Sequence, residues 1–221
     1  MVQQTIAPSV IRDQWFRMSF DVFLVWGPDE SQSQWVDGEG IADVSTRTRH
    51  GEMVDFLADL LRRFVAVFAL GRASSSQVLL KLPNRPFGRM PDICVVSSTE
   101  LERVRPQWVE ASAMIVFEFI SDETEQQNLF DKRIEYENAG FPEYVPIDAR
   151  SSRAQCTDLR LGIDSRYVSV KPDKNGRYHS HALPGLWLDP QRFEGEQVPD
   201  VEDVLLDIAP DAYAAWLLKK I

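Results

Sequence analysis

Hydrophobic positions along this chain repeat with two periods. Between residues 49 and 70, Met53, Phe56, Leu57, Leu60, Leu61, Phe64, Val67 and Phe68 form one broad apolar stripe, with Asp55, Asp59, Arg62 and Arg63 on the other side. That spacing predicts a long amphipathic helix, with Gly71 as its C′ residue. Phe20, Phe23 and Leu24 predict a shorter helix over 18–26, stopped by Pro28. Elsewhere the apolar residues come in short runs rich in β-branched and aromatic side chains: 78–80, 91–96, 114–121 and 144–148. Such runs predict buried strands. Thr124 and Gln127 read as a capping box opening a helix that runs to about Ala139, with Gly140 closing it and Pro142 beyond. Leu129, Lys132, Tyr136 and Ala139 share one face of that helix. Asp37-Gly38 predicts a hairpin turn within 35–41, and Asn175-Gly176 predicts another. Candidate strands follow at 158–163 and 167–171, and the chain ends in an amphipathic helix carrying Tyr213, Trp216 and Leu217. Residues 101–110 read as a polar connection, and residues 1–17 as an arm. Strands interleaved with helices indicate an α/β fold.

Three polar side chains break the apolar pattern. Glu118 lies in the middle of a strand run and Asp92 opens the neighbouring one. A carboxylate in an apolar setting must be protonated, paired or bound to a metal. Lys132 sits on the apolar stripe of the following helix, where the bland reading is a snorkelling stem. Two strands presenting one carboxylate each, with a lysine on the next helix, suit a hard divalent cation beside a phosphate. The plain structural alternative is a buried Glu118–Lys132 ion pair without chemistry. His50 points along the core-facing side of the long helix, where a histidine is commonly structural, and Glu52 lies nearer the polar face. His179 and His181 alternate on one predicted strand, but two histidines without a third ligand are weak evidence for zinc.

Composition narrows the picture. The 221 residues carry a net charge of −10, which argues against broad non-specific binding to nucleic acid while allowing a local basic surface. Arg47, Arg49, Arg62, Arg63, Lys81, Arg85 and Arg89 precede the first acidic strand, and much of the acid lies in 194–211. Two cysteines, Cys94 and Cys156, lack metal-type spacing and fit a reduced, cytoplasmic protein. No apolar run approaches a membrane span, and the N-terminal residues lack a signal-peptide pattern.

The stretch from Pro91 to Asp148 resembles the Uma2 (DUF820) family of endonucleases, in the PD-(D/E)XK restriction-endonuclease-like superfamily. The resemblance rests on Pro91-Asp92 before a Val-rich strand, Glu118-Phe119-Ile120-Ser121, the run from Lys132 to Tyr144 with its K-x-x-x-Y-x-x-A-G-x-x-E-Y pattern, and Ile147-Asp148. Weaker matches extend from about Phe20 to Phe193, including an Asp-Gly-Glu at 37–39 and 183–189. The resemblance implies a mixed central sheet flanked by helices; the residue pattern adds β-hairpins and, outside the resemblance, the C-terminal helix. It divides the chain into an arm (1–17), a nuclease domain (18–193) and an acidic segment with the C-terminal helix (194–221). It implies Asp92 and Glu118 as ligands of Mg2+ or Mn2+, with the Phe119 carbonyl as a third. Lys132 stands in for the superfamily lysine, whose usual place is held here by Ile120. His50 could orient a carboxylate or approach a phosphate, and Glu39 and Tyr136 are further candidates. DNA is the implied substrate and a homodimer the implied assembly. Two positions depart from the pattern: Asn128 replaces an aspartate, and Val145-Pro146 replaces a tryptophan and an aliphatic residue. Pro146 cannot donate to a ladder, so its strand is expected to be short or at an edge. A non-catalytic interaction protein on a nuclease scaffold is the alternative, since fold alone does not fix function.

Overall fold

Strands Ile93–Ser97 and Ile115–Phe119 are antiparallel neighbours, with Ile93 opposite Phe117 and Val95 opposite Ile115. Nearly every residue of both is buried. Burial on both faces is why they read as continuous apolar runs. The computed structural model describes residues 14–26, 32–36, 39–43, 48–75, 78–82, 88–105, 108–110, 113–120, 127–149, 154–195 and 197–220. Among these, the two strands form the middle of a mixed sheet. Gly71–Ser75 closes one edge beside Ile93–Ser97, and Asp158–Leu161 and Tyr167–Val170 extend the other. Between them lies Glu143–Asp148, parallel to Ile115–Phe119. Parallel neighbours need a crossover, and the helix Gln127–Asn138 supplies it.

The last of these strands differs from the expectation that Pro146 would confine it to an edge. It runs from Glu143 to Asp148 inside the sheet, with Pro146 opposite Glu118 on the parallel side. On the other side it pairs with Asp158–Leu161 through Glu143 and Tyr144, and with Gln155–Cys156 through Ile147 and Asp148. Pro146 falls in the gap between these two partners, where its carbonyl accepts from Thr157 N–H at 3.0 Å. The missing donor therefore costs no ladder bond.

A second sheet is ordered Gln14–Arg17, Glu39–Asp43, Gln32–Val36, Gly88–Arg89, Leu79–Lys81, Trp108–Val109. Gln14–Arg17 is thus a paired strand, not part of an arm. The turn residues Asp37 and Gly38 lie outside the described residues, but Val36 pairs with Glu39 across them, as the hairpin requires. The chain passes from the second sheet to the first between Arg89 and Ile93.

The long helix spans Thr48–Val67. Leu57, Leu61 and Phe64 pack against Ile93, Val95, Ile115, Phe117 and Ile147 on one face of the main sheet. Gly71 is not its C′ residue. Ala69 takes the left-handed conformation, at φ 52°, and Leu70 N–H returns to the Val65 carbonyl. Gly71 serves packing instead, since a Cβ there would sit 1.9 Å from the Val96 carbonyl oxygen. On the opposite face Cys94, Val96, Val116 and Tyr144 pack with Tyr136 and Phe141. The Gln127–Asn138 helix ends as predicted at Gly140, φ +78°. Its proposed cap, Thr124, lies outside the described residues.

Beyond the main sheet, three predictions change. The 173–177 turn forms, with Gly176 at φ +82°, but it joins strands of different sheets rather than one hairpin. The C-terminal segment is two helices, Val201–Ile208 and Pro210–Leu218, separated where Pro210 begins the second. They bury Val204, Leu205 and Tyr213 against the long-helix core. The stretch expected to be a polar connection, 101–110, holds the end of a 3-10 helix, Ser98–Arg103, and the short strand Trp108–Val109.

Candidate active site

Alternation along Ile115–Phe119 places Phe117 and Phe119 on the long-helix side and Glu118 on the opposite side with Val116. Glu118 is 3% exposed and Lys132 7%. The crossover helix lays its Lys132, Glu135, Tyr136, Ala139 stripe over that second side, so the ammonium meets the carboxylate directly. Lys132 Nζ lies 2.9 Å from Glu118 Oε2, and the Tyr136 hydroxyl donates to Glu118 Oε1 at 2.9 Å. Both carboxylate oxygens are therefore engaged. Burial pushes the Glu118 carboxyl above its ordinary range; Lys132 pulls it back, and the charge of Asp92 adds to the rise.

Asp92 enters from the neighbouring strand. Its Oδ2 accepts from Phe119 N–H at 2.7 Å, and its Oδ1 lies 3.5 Å from His50 Nε2. His50 comes from the first turn of the long helix, and its ring meets Phe119 edge-on at 6.0 Å between centroids. A strand residue points its N–H and C=O to the same side, so the Phe119 carbonyl faces the Asp92 flank as well. Lys132 and Tyr136 thus gather on Glu118, and His50 and the Phe119 N–H on Asp92, with the charge of Asp92 felt at Glu118.

The arrangement buries two carboxylates, one held against an ammonium and the other beside an imidazole. Among the described residues, no three His, Cys, Asp or Glu side chains group as a metal site. A hard cation needs only one or two carboxylates when a backbone carbonyl and waters complete its shell.

Residues 20–191 match the Uma2 family, described as "Putative restriction endonuclease". The chain belongs to the Uma2 family. Among solved structures, it is similar to a protein from Anabaena variabilis titled a putative nuclease belonging to DUF820. The TM-score is 0.58 at 15% identity, over 85% of this chain and 97% of that one. No curated protein matches. The two C-terminal helices lie beyond the Uma2 match.

Within the Uma2 segment the other candidates fall elsewhere. Glu39 is part-exposed and paired with Arg17, 3.3 Å away. Glu52 is exposed, with Arg49 at 3.7 Å. His179 pairs with Asp173 at 2.9 Å, while His181 lies past the end of the Tyr178–His179 strand, so the two do not share a strand face. Among the described basic residues before the first acidic strand, Arg62 bonds Ser75, Arg63 bonds Asp59 and Glu202, and Lys81 approaches Glu110. Arg47, Arg85 and Ser121 lie outside the described residues, as does the side chain of Asn128.

Three further carboxylates, of which only Glu143 stands in the quoted pattern, are also buried or partnered. Glu143 opens the strand parallel to the Glu118 strand; its Oε2 accepts from Ser180 Oγ, His181 N–H and Ala182 N–H. Burial nevertheless pushes it up to about 7, with buried Asp158 adding to the rise. Glu137 accepts from Tyr167 N–H and Arg166, tying the crossover helix to the sheet edge. Glu135 receives both Nε and Nη2 of Arg89, at 2.5 and 2.8 Å. Burial opposes the Arg89 charge, but Glu135 outweighs it and holds the guanidinium above its ordinary range. Helical spacing from Lys132 would have pointed to Glu135; nothing local marks Arg89.

Proposed function

We propose that this Uma2 member is a metal-dependent endonuclease that hydrolyses phosphodiester bonds in DNA at the Asp92–Glu118–Lys132 cluster. What supports the reading is the buried Glu118 with Lys132 Nζ 2.9 Å from its Oε2, on the strand beside the one that buried Asp92 precedes.

The residues fit a divalent cation. Asp92 and Glu118 are close enough for the charge of one to raise the other, a repulsion that a shared Mg2+ or Mn2+ would relieve. Asp92, Glu118 and the Phe119 carbonyl would hold it. When bound, such an ion supplies charge neutralisation and a water of lowered pKa. The chain's own groups do the rest. Lys132 brings a positive charge to the attacking water and to the phosphoryl oxygens as negative charge develops. Tyr136 fixes the rotamer of Glu118. His50 and Phe119 N–H fix Asp92 from both sides. In hydrolysis the water oxygen bonds to phosphorus, one P–O ester bond breaks, and the departing oxygen takes a proton. Cutting both strands of a duplex calls for two such sites, and a homodimer would provide them.

Supercoiled plasmid incubated with Mg2+ or Mn2+ tests the reading. Wild type nicks it, while Asp92→Asn, Glu118→Gln and Lys132→Met lose at least about 100-fold, in line with the loss of a positioned charge. Equal nicking by all four proteins overturns it. The mutual satisfaction of Glu118 and Lys132 favours a second reading, an interaction protein on the same scaffold with a purely structural ion pair. On that reading divalent ions leave the melting temperature unchanged, whereas a bound ion raises it by mass action.

A further inference from the structure

The Lys132 helix is pinned to the molecule at two carboxylates that do not belong to the site. Glu137 holds its C-terminal half to the Tyr167 strand. The other pin, Arg89–Glu135, has a particular address. Glu135 lies one turn after Lys132 on the same helix face, and Arg89 lies three residues before Asp92. The pair is bidentate, and the Arg89 side chain is 7% exposed. Arg89 also belongs to the second sheet, through its pairing with Leu80. One rigid fork therefore spans the two arms that must meet for the site to exist: the segment delivering Asp92 and the helix delivering Lys132. A planar guanidinium held on both nitrogens fixes distance and angle together, which a single-point contact does not.

We propose that Arg89 and Glu135 are positioning residues that set where the Lys132 ammonium sits against the two site carboxylates. They touch neither substrate nor metal in this role. They act through Lys132, and the proposal rests on the nuclease reading only for the activity arm of its test.

The first arm needs neither metal nor DNA. Brief acetylation of the full-length protein with acetic anhydride, read by peptide mass spectrometry, measures how well Lys132 is shielded. In wild type Lys132 is protected. In Arg89→Met and in Glu135→Met its modification rises at least tenfold, while Cys156, buried in the core on the other face of the sheet, stays as resistant to alkylation as in wild type. Lys132 remaining protected in both variants overturns the proposal. So does Cys156 becoming reactive in parallel, which would show general loosening.

The second arm uses plasmid nicking with Mn2+. Arg89→Met lowers kcat with KM for DNA within about threefold of wild type, and in a Lys132→Met background it causes no further loss. Multiplying losses in the double variant would mean that Arg89 acts independently of Lys132, against the proposal. A wild-type protein that does not nick defeats the nuclease reading, and the acetylation arm still decides this one.

Discussion

At the residue scale, the site is a case of mutual satisfaction in a place where water is scarce. Glu118 holds one donor on each oxygen, so removing either leaves a buried acceptor open. Tyr136→Phe deletes only the hydroxyl and is expected to destabilise the fold by about 1–2 kcal/mol, the cost of one unsatisfied buried acceptor, read as a lower urea midpoint. An unchanged midpoint would mean that the Tyr136 hydroxyl does not hold Glu118 in solution. Asp92, Glu118 and Lys132 were legible in the sequence because each is a charge at a position where the surrounding pattern demands an apolar residue. Arg89 was not, since it lies in a two-residue strand beside a loop and carries no periodic signal. Its partner Glu135 could have been found, since it lies one turn after Lys132 on the same helix face. Glu39 misled because its match to a family pattern says nothing about direction, and the structure turns it to Arg17.

At the scale of elements, two glycines of positive φ differ in what an added methyl would meet. Gly71→Ala drives a methyl into the Val96 carbonyl and should cost about 3 kcal/mol or more, as severe overpacking does. Gly140→Ala meets nothing within 4 Å and should cost only about 1 kcal/mol, from its positive φ. Thermal or urea unfolding of the two variants checks the order. Glu143, anchoring the 180–182 turn, gives a pH signature. Its carboxyl is raised in the folded state, so the folded protein binds the proton more tightly than the unfolded chain. Stability is then fullest below the ordinary glutamate range and falls as pH rises through about 7. Glu143→Gln should flatten that slope between about pH 4.5 and 7, the ordinary and the raised values, seen in urea midpoints measured across the range. The helices and buried strands were readable because length and period agreed. Pro146 was misjudged because a sequence shows that a donor is missing but not whether the fold asks for one there. The end of the long helix was misjudged for a similar reason: a glycine near a helix end usually supplies positive φ, and here Ala69 takes that duty.

At the scale of the whole molecule, the C-terminal helices are part of the core although the Uma2 match stops before them. Val204, Leu205 and Tyr213 are buried against the long helix that carries His50, and Arg63 reaches from that helix to Glu202 and Tyr213. Three buried side chains at about 1.5–3 kcal/mol each rival the whole net stability of a typical domain, about 5–15 kcal/mol. A chain ending at residue 196 should accordingly be recovered as aggregate, or melt far below full length by circular dichroism. A truncated protein melting like wild type would show that these helices merely rest on the surface. Sequence alone gave an amphipathic face here but not its partner, because an apolar stripe does not name what covers it.

The two parallel strands on either side of Glu118 and Pro146 can be joined only by a segment that travels back along the sheet, and that segment is what carries the cation. Its arrival beside the acid is thus a matter of topology, not of local interval. Topology by itself sets no fixed number of residues between the acid and the ammonium. A search that demands a fixed number of positions between glutamate and lysine would pass over chains with a different interval, while one that asks which helix bridges which pair of strands would find them.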